Sequence, residues 1–317
     1  MIKKIVYITG CLGFIGSYVT RSALKRGWYV MGVDKRTYAS RNDLLDEFSA
    51  HENFSFIKSD INDLEYIHDC DYIINTAAET HVGNSIVKSD EFVKSNINGV
   101  HHLLELIRNY KVENGKMPII LHFSTDEVYG DTCEGSFSEG DLLKPSNPYS
   151  STKAAADMLI KAWHRTYGID YLIVRPTNNY GIGQYVEKLI PKTIKYLNLG
   201  RKVPLHNGGL PIRNWLHAED TANAVIHIIC NNFKNEIFNI SGNFEDHNKS
   251  IVEQIIKLVK IGGSIEDHVD LSFSRKGQDV RYCVNDSKLR KTGWNNTKNF
   301  KDELPSIVEF YESKFIW

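Results

Sequence analysis

Two short stretches carry residue types that do acid–base chemistry. Ser124-Thr125-Asp126-Glu127-Val128-Tyr129-Gly130 leaves the apolar run PIILHF with a hydroxyl followed by two adjacent carboxylates. Tyr149 and Lys153 stand four residues apart in YSSTK, which puts both side chains on one face of a helix. A cationic lysine beside a tyrosine favours the phenolate, so the pair can take the proton of an alcohol. Thr125 can hydrogen-bond the same hydroxyl. A Tyr-x-x-x-Lys pair alone arises by chance on many surface helices. It gains meaning from a cofactor able to take the carbon-bound hydrogen as hydride.

The N-terminus offers a place for that cofactor. Thr9-Gly10-Cys11-Leu12-Gly13-Phe14-Ile15-Gly16 follows the run IVYIT and opens a helical segment. Glycines there permit a tight turn and close approach of a pyrophosphate to the backbone, with a helix N-terminus facing the negative charge. Asp34 ends the second β-branched run about 20 residues further on, where a carboxylate accepts hydrogen bonds from both ribose hydroxyls of an adenosine. It also repels a 2′-phosphate, so NAD is expected rather than NADP, with Lys35 and Arg36 as opposing charges nearby. Asp60 and Ile61 suit an adenine edge, and Ala77 and Ala78 are small enough to let the cofactor lie over a sheet. Cys11 reads as no more than a small side chain in the loop.

These groups need a scaffold, and the pattern of the chain supplies one. IVYIT (5–9), YVMGV (29–33), FSFIKSD (54–60), DYIINTAA (71–78), PIILHFST (118–125) and YLIVRP (171–176) alternate with amphipathic segments, including SYVTRSALKRG and stretches near 90–110 and 149–167. That alternation predicts an α/β fold with a Rossmann-like doubly wound parallel sheet. From Asn178 the elements shorten between NNYG, NGGLP and SGN turns, which predicts a smaller, interleaved C-terminal substrate-binding lobe. WLHAEDTANAVIHII (215–229) reads as helical and FNIS (238–241) as a strand. The expected division is residues 1–177 with about 215–242 for the cofactor, and 178–317 mainly for substrate.

The 317 residues suffice for one large unit or two lobes. Thirty-eight basic against 39 acidic residues leave a net charge of −1, which gives no long-range attraction to nucleic acid or an anionic membrane. Cys11, Cys70, Cys133, Cys230 and Cys283 are scattered, with no CxxC pair and no metal-ligand spacing, so reduced thiols in a cytoplasmic protein without a metal are expected. No apolar run approaches the roughly 18 residues of a membrane span.

Taken together, the glycine loop, the strand-end hydroxyl and YxxxK resemble the extended short-chain dehydrogenase/reductase superfamily. The STDEVYG segment resembles a narrower family, the dTDP-glucose 4,6-dehydratases. The likeness runs through VDKRTYA (33–39), AAETHV (77–82), NPYSSTKAAAD (147–157), NNYGIGQYVEKLIP (178–191), GGLPIRNW (208–215) and RKGQDVRY (275–282). The resemblance implies NAD, tightly bound and recycled, and a catalytic set of Thr125, Asp126, Glu127, Tyr149 and Lys153. Tyr149 would deprotonate the sugar 4-hydroxyl while hydride leaves C4. Glu127 would then remove the C5 proton, Asp126 would protonate the departing 6-hydroxyl, and hydride would return to C6. Two carboxyls in different protonation states at one pH are what such an elimination needs.

The resemblance also implies binding positions. Thr37, Ser95 and Asn179 join the cofactor contacts named above. Thr80, His81, Asn178, Lys188, Leu189, Pro204, His206, Arg213, Asn248, Arg275 and Gln278, with Thr125, fall on the nucleotide-sugar side, where fixed cations suit diphosphate oxygens. A homodimer is implied as well, through the segments near 90–110 and 149–167. The chain departs from the family pattern at Gly83-Asn84, at PLHN, where His206 stands in place of a tyrosine, and at RKGQD, which carries Lys276 and Gln278. These changes gather at the nucleotide end. The expected substrate is dTDP-glucose, with two alternatives: a UDP-linked sugar, or the chemistry of a nucleotide-sugar 4-epimerase or decarboxylase, which has no use for a paired base and acid. From a different class, a non-catalytic NAD-responsive scaffold would bind cofactor without turnover.

Overall fold

The computed structural model describes residues 3–274 and 279–313. Its strands in chain order are Ile5–Thr9 (β1), Tyr29–Asp34 (β2), Phe54–Lys58 (β3), Tyr72–Asn75 (β4), Ile119–Phe123 (β5) and Tyr171–Pro176 (β6), then Asn178–Tyr180 (β7), Val203–Pro204 (β8), Ile212–His217 (β9), Glu236–Ile240 (β10), Phe244–His247 (β11) and Val269–Asp270 (β12). Seven of them form one parallel sheet in the order β10-β6-β5-β4-β1-β2-β3. β4, β5 and β6 are buried along their whole length, which is why they read as unbroken apolar runs rather than as alternating ones.

Apolar layers cover both faces of this sheet. On one side Val19 and Ala23 of the Phe14–Lys25 helix meet Ala222, Val225 and Ile229 of the Ala218–Cys230 helix. On the other, Leu103 and Ile107 of the Gly99–Asn114 helix meet Ala156 and Ile160 of the Pro148–Tyr167 helix. Each fully buried Ile or Leu contributes roughly 1.5–3 kcal/mol, so the doubly covered sheet is the stiff frame of the molecule. Strand order reverses at the β1/β4 boundary. In an open α/β sheet the crevice beyond the carboxyl ends at such a point is where ligands sit.

The chain leaves this frame after β6. β7, β9 and β11 form a small mixed sheet, β8 pairs with β12, and the helices Leu189–Asn198, Asn248–Val259 and Phe300–Ser313 close a separate apolar core around Tyr180, Ile194, Trp215 and Phe300. β9 then feeds the Ala218–Cys230 helix, which packs back on the large sheet and delivers β10 to its edge. Interleaving thus comes from one strand–helix–strand excursion. Two expectations shift here. Residues 215–217 finish β9, and the helix starts at Ala218 with His217 as its cap, its Nδ1 accepting from the Glu219 N–H at 3.2 Å. A short apolar run such as WLH fits either element, and pairing with β7 and β11 decides it. The segment near 90–110 is helical, but residues Val93–Asn98 form a π-turn within it. Among the described residues no helix is long and apolar enough to cross a membrane.

Candidate active site

The glycine loop is fixed by sterics. Gly10 has φ +71°, and a Cβ there would sit 2.8 Å from the Ala77 nitrogen, while one at Gly16 would sit 2.0 Å from the Gly10 carbonyl oxygen. The loop therefore lies flush against β1 and β4, and leaves the first N–H groups of the Phe14–Lys25 helix facing a cavity of about 310 Å³. Asp34 is held at the far end by three donors: the N–H groups of Leu12 (3.1 Å) and Arg36 (2.7 Å) and the Ser40 hydroxyl (2.9 Å). Lys35 is paired with Asp60 at 3.4 Å and Glu79 at 3.9 Å. Its charge is thus engaged by carboxylates, which removes it as a ready partner for a 2′-phosphate.

Gly10, Gly13, Phe14, Ile15, Gly16, Asp34, Lys35, Thr37, Asp60, Ile61, Ala77, Ala78, Ser95, Tyr149 and Asn179 all line this cavity. Lys153 does not line it, being buried beside it. Cys11 packs in the apolar layer below the loop, where burial pushes its thiol far up and keeps it inert.

The acid–base groups hang from the end of β5. Thr125 caps the 3-10 turn Asp126–Tyr129, accepting from the Glu127 N–H at 3.3 Å and donating to Asp126 Oδ1 at 3.1 Å. Tyr129 anchors the turn from below: it donates to Asn239 Oδ1 at 2.8 Å and accepts from Arg175 at 2.7 Å. Asp126 is 2% exposed, and its Oδ2 has no hydrogen-bond partner among the described residues. Burial, and then the charge of Glu127, push its carboxyl up to about 7. Burial also raises Glu127, against the opposing pull of Arg213. Asn147, the N-cap of the Pro148–Tyr167 helix, donates to Glu127 Oε2 at 3.4 Å.

That helix places Tyr149 and Lys153, but their electrostatics differ from the expectation drawn from spacing. Burial raises Tyr149 well above its ordinary value, Glu127 and Asp126 add to this, and a hydrogen bond with Thr125 opposes it. The chain by itself therefore holds a phenol. Burial lowers Lys153 to about 8, opposed by Asp157, and its Nζ lies 3.3 Å from His122 Nε2. About one helical turn puts the pair on one face, yet the lysine is turned into a buried polar row of His122, Asn75 and Thr9.

A second cavity of about 220 Å³ opens from the first and shares Thr80, Glu127, Asn178, Asn179 and Lys188 with it. Thr80, His81, Asn178, Lys188, Leu189, Pro204, His206, Arg213 and Asn248 line it, whereas Thr125 lines only the first. Arg275 and Gln278 lie outside the described residues. Lys188 donates to the Thr80 carbonyl at 3.0 Å, and Asn178 and Asn248 each present a buried Oδ1 with no partner among the described residues. Arg213 donates to the carbonyls of Ile212 (2.6 Å) and Asp279 (3.1 Å), with its guanidinium 4.2 Å from the centre of the Tyr282 ring. Gly83 has a local reason: His81 Nδ1 caps the Val82–Val87 helix by accepting from the Asn84 N–H, and a Cβ at Gly83 would sit 3.0 Å from the imidazole. Asn147 and Tyr282 were not foreseen in the sequence. Both act on Glu127 from positions that no motif spacing connects to it.

The chain matches the family model described as GDP-mannose 4,6 dehydratase over residues 7–306. It belongs to the nucleotide-sugar 4,6-dehydratase family. A dTDP-glucose 4,6-dehydratase of Haemophilus influenzae is 36% identical over 328 residues, covering 96% of this chain and 97% of that one. A trifunctional UDP-glucose 4,6-dehydratase of Arabidopsis thaliana is 35% identical over 325 residues, covering 99% of this chain and 48% of that longer protein. Among solved structures, the dTDP-glucose 4,6-dehydratase DesIV of Streptomyces venezuelae, with NAD bound, superposes with a TM-score of 0.91 at 32% identity, over 98% of this chain and 97% of that one.

Proposed function

We propose that this chain is an NAD-dependent hydro-lyase that converts dTDP-glucose to its 4-keto-6-deoxy product. The observation that carries the reading is the position of Asp126 and Glu127. Asp126 is buried and Glu127 half-buried, and both carboxyls are raised; Glu127 lines both cavities and Asp126 the first, beside Tyr149 and Thr125. The first cavity fits NAD: its glycines leave no room for a Cβ where a pyrophosphate approaches, Asp34 faces the ribose position, and Lys35 is already paired. When bound, NAD supplies the acceptor for the C4 hydride and the donor that returns it to C6.

The residues divide the remaining work. Tyr149, bonded to Thr125, takes the 4-hydroxyl proton, with Lys153 one helical turn away as the cation that opposes its burial. Glu127 takes the C5 proton, now acidified by the neighbouring ketone. Asp126, neutral through much of the range below about pH 7, delivers its proton to the 6-hydroxyl so that it leaves as water. Thr80, Asn178, Lys188, Arg213 and Asn248 hold the sugar and diphosphate, and His206 faces the base. Residues 1–177 with about 215–242 hold the cofactor in this reading, 178–317 mainly the nucleotide sugar, and two copies associate through the helices near 90–110 and 149–167.

The altered residues at the nucleotide end and the match to a UDP-glucose enzyme favour one second reading, a UDP-linked substrate. Incubation with dTDP-glucose, UDP-glucose and UDP-N-acetylglucosamine, with products identified by mass spectrometry and NMR, separates the two. A 4-keto-6-deoxy product from dTDP-glucose at the highest kcat/KM is the expected result. Absence of product from every nucleotide hexose would overturn the dehydratase reading.

A further inference from the structure

Glu127 is met by a buried tyrosine, Tyr282, that lines the second cavity with it. The Tyr282 hydroxyl lies 3.2 Å from Glu127 Oε2 and also hydrogen-bonds Asp279 Oδ2, which accepts from the Ser146 hydroxyl at 2.6 Å as well. Tyr282 is 2% exposed. Arg213 clamps its ring and ties down the Asp279 backbone. One phenolic proton is thus offered to two carboxylates. A hydroxyl can donate to only one of them, and its oxygen then faces the other as an acceptor.

We propose that Tyr282, backed by Asp279, is a positioning residue for the C5 proton transfer. It holds Glu127 at the meeting of the cavities, and its oxygen receives the hydrogen bond of the carboxylic acid that Glu127 becomes. The inference rests on the dehydratase reading and deepens it. In the step concerned the C5–H bond breaks and an O–H bond forms on Glu127. The electron pair moves toward the C4 ketone, and the C6 hydroxyl then leaves as water with the proton of Asp126. Before the transfer the row Glu127–Tyr282–Asp279 is one proton short of satisfying every oxygen. Afterwards Glu127 donates to Tyr282 and Tyr282 to Asp279, so the row favours the protonated base. Among the described residues the other groups facing Glu127 are Arg213, Asn147, Lys188, Asp126 and Tyr149. None of them offers an acceptor oxygen already tied to a second carboxylate.

The test is Tyr282→Phe, which keeps the ring under Arg213 and removes only the hydroxyl. Wild type and variant are assayed side by side on dTDP-glucose with protium or deuterium at C5. The expected result is a kcat lower by about tenfold or more with KM unchanged. The C5 isotope effect should be larger, the acidic limb of the kcat profile should lie at lower pH, and melting temperature and bound NAD should match wild type. Wild-type kcat and isotope effect in the variant, or a change confined to KM, overturns the proposal. Should Tyr282→Phe fail to fold, Asp279→Asn keeps an acceptor for Tyr282 and removes the charge. It is expected to show the same isotope signature with a smaller loss, and its absence overturns the proposal equally. A wild type that makes no product from dTDP-glucose, UDP-glucose or UDP-N-acetylglucosamine defeats the dehydratase reading itself, an outcome distinct from a silent variant beside an active wild type.

Discussion

Asp126 and Glu127 are neighbours of nearly identical chemistry, and their surroundings differ. Asp126 is enclosed, with one oxygen unpartnered among the described residues, whereas Glu127 is met by Asn147, Tyr282 and the field of Arg213. The raised carboxyl of Asp126 has two consequences. The folded chain keeps this proton between about pH 4 and about pH 7, where the unfolded chain has released it, so stability falls as pH rises through that window. Asp126→Asn should therefore melt above wild type at pH 8, by a few degrees, and lose that advantage near pH 4 in calorimetric scans. The same variant should lose about 10²–10⁴-fold in dehydration while still oxidising C4, seen as accumulation of reduced nicotinamide. For wild type, kcat should decline above about pH 7 as Asp126 ionises, and a profile flat through pH 8 would remove it as the acid. The roles proposed for these two residues start from their types, their order and the family resemblance. Their different environments were not legible in the sequence, because the partners come from residues 147, 213 and 282.

At the scale of elements, the site depends on how the Pro148–Tyr167 helix is locked to the sheet. Asp157 on that helix pairs with Arg175 of β6 at 2.9 Å, both fully enclosed, and also accepts from Ser124 at 3.1 Å. One carboxylate thus joins the Tyr149 helix, the strand beside it and the strand end that carries Thr125. Asp157→Asn leaves the Arg175 charge buried without its counter-ion, and should cost about 3–5 kcal/mol in urea unfolding. Wild-type stability in that variant would show the pair to be dispensable. The π-turn Val93–Asn98 has a related role: it brings Ser95 to the cofactor cavity and lets Asn96 bond both Glu79 and Thr152 of the long helix. The βαβ frame was legible because strands buried on both faces read as apolar runs. The π-turn was not, since one extra residue in a helical turn leaves no mark in a hydrophobic pattern.

For the whole molecule, sequence order and spatial order part company. The interleaved excursion from β9 to β10 could be anticipated from a late helix and strand, but which cavity the small lobe closes depends on packing around Trp215 and Phe300. Association of two copies is a separate matter, decided by surface. The two helices expected to pair across a dimer axis carry Val93 at 41%, Met158 at 46% and Tyr167 at 38% exposure. Apolar groups on adjoining helices of the face opposite the glycine loop suit an isologous contact, because a twofold axis sets each helix against its copy. Val93→Glu with Met158→Glu would place carboxylates in that contact. Burying them unpaired costs several kcal/mol, and each 1.4 kcal/mol weakens association tenfold. Sedimentation should therefore find wild type as a dimer and the double variant as a monomer that still retains NAD, since neither residue lines the cofactor cavity. A monomeric wild type at micromolar concentration would refute the contact, and a double variant that stays dimeric would move it to another face.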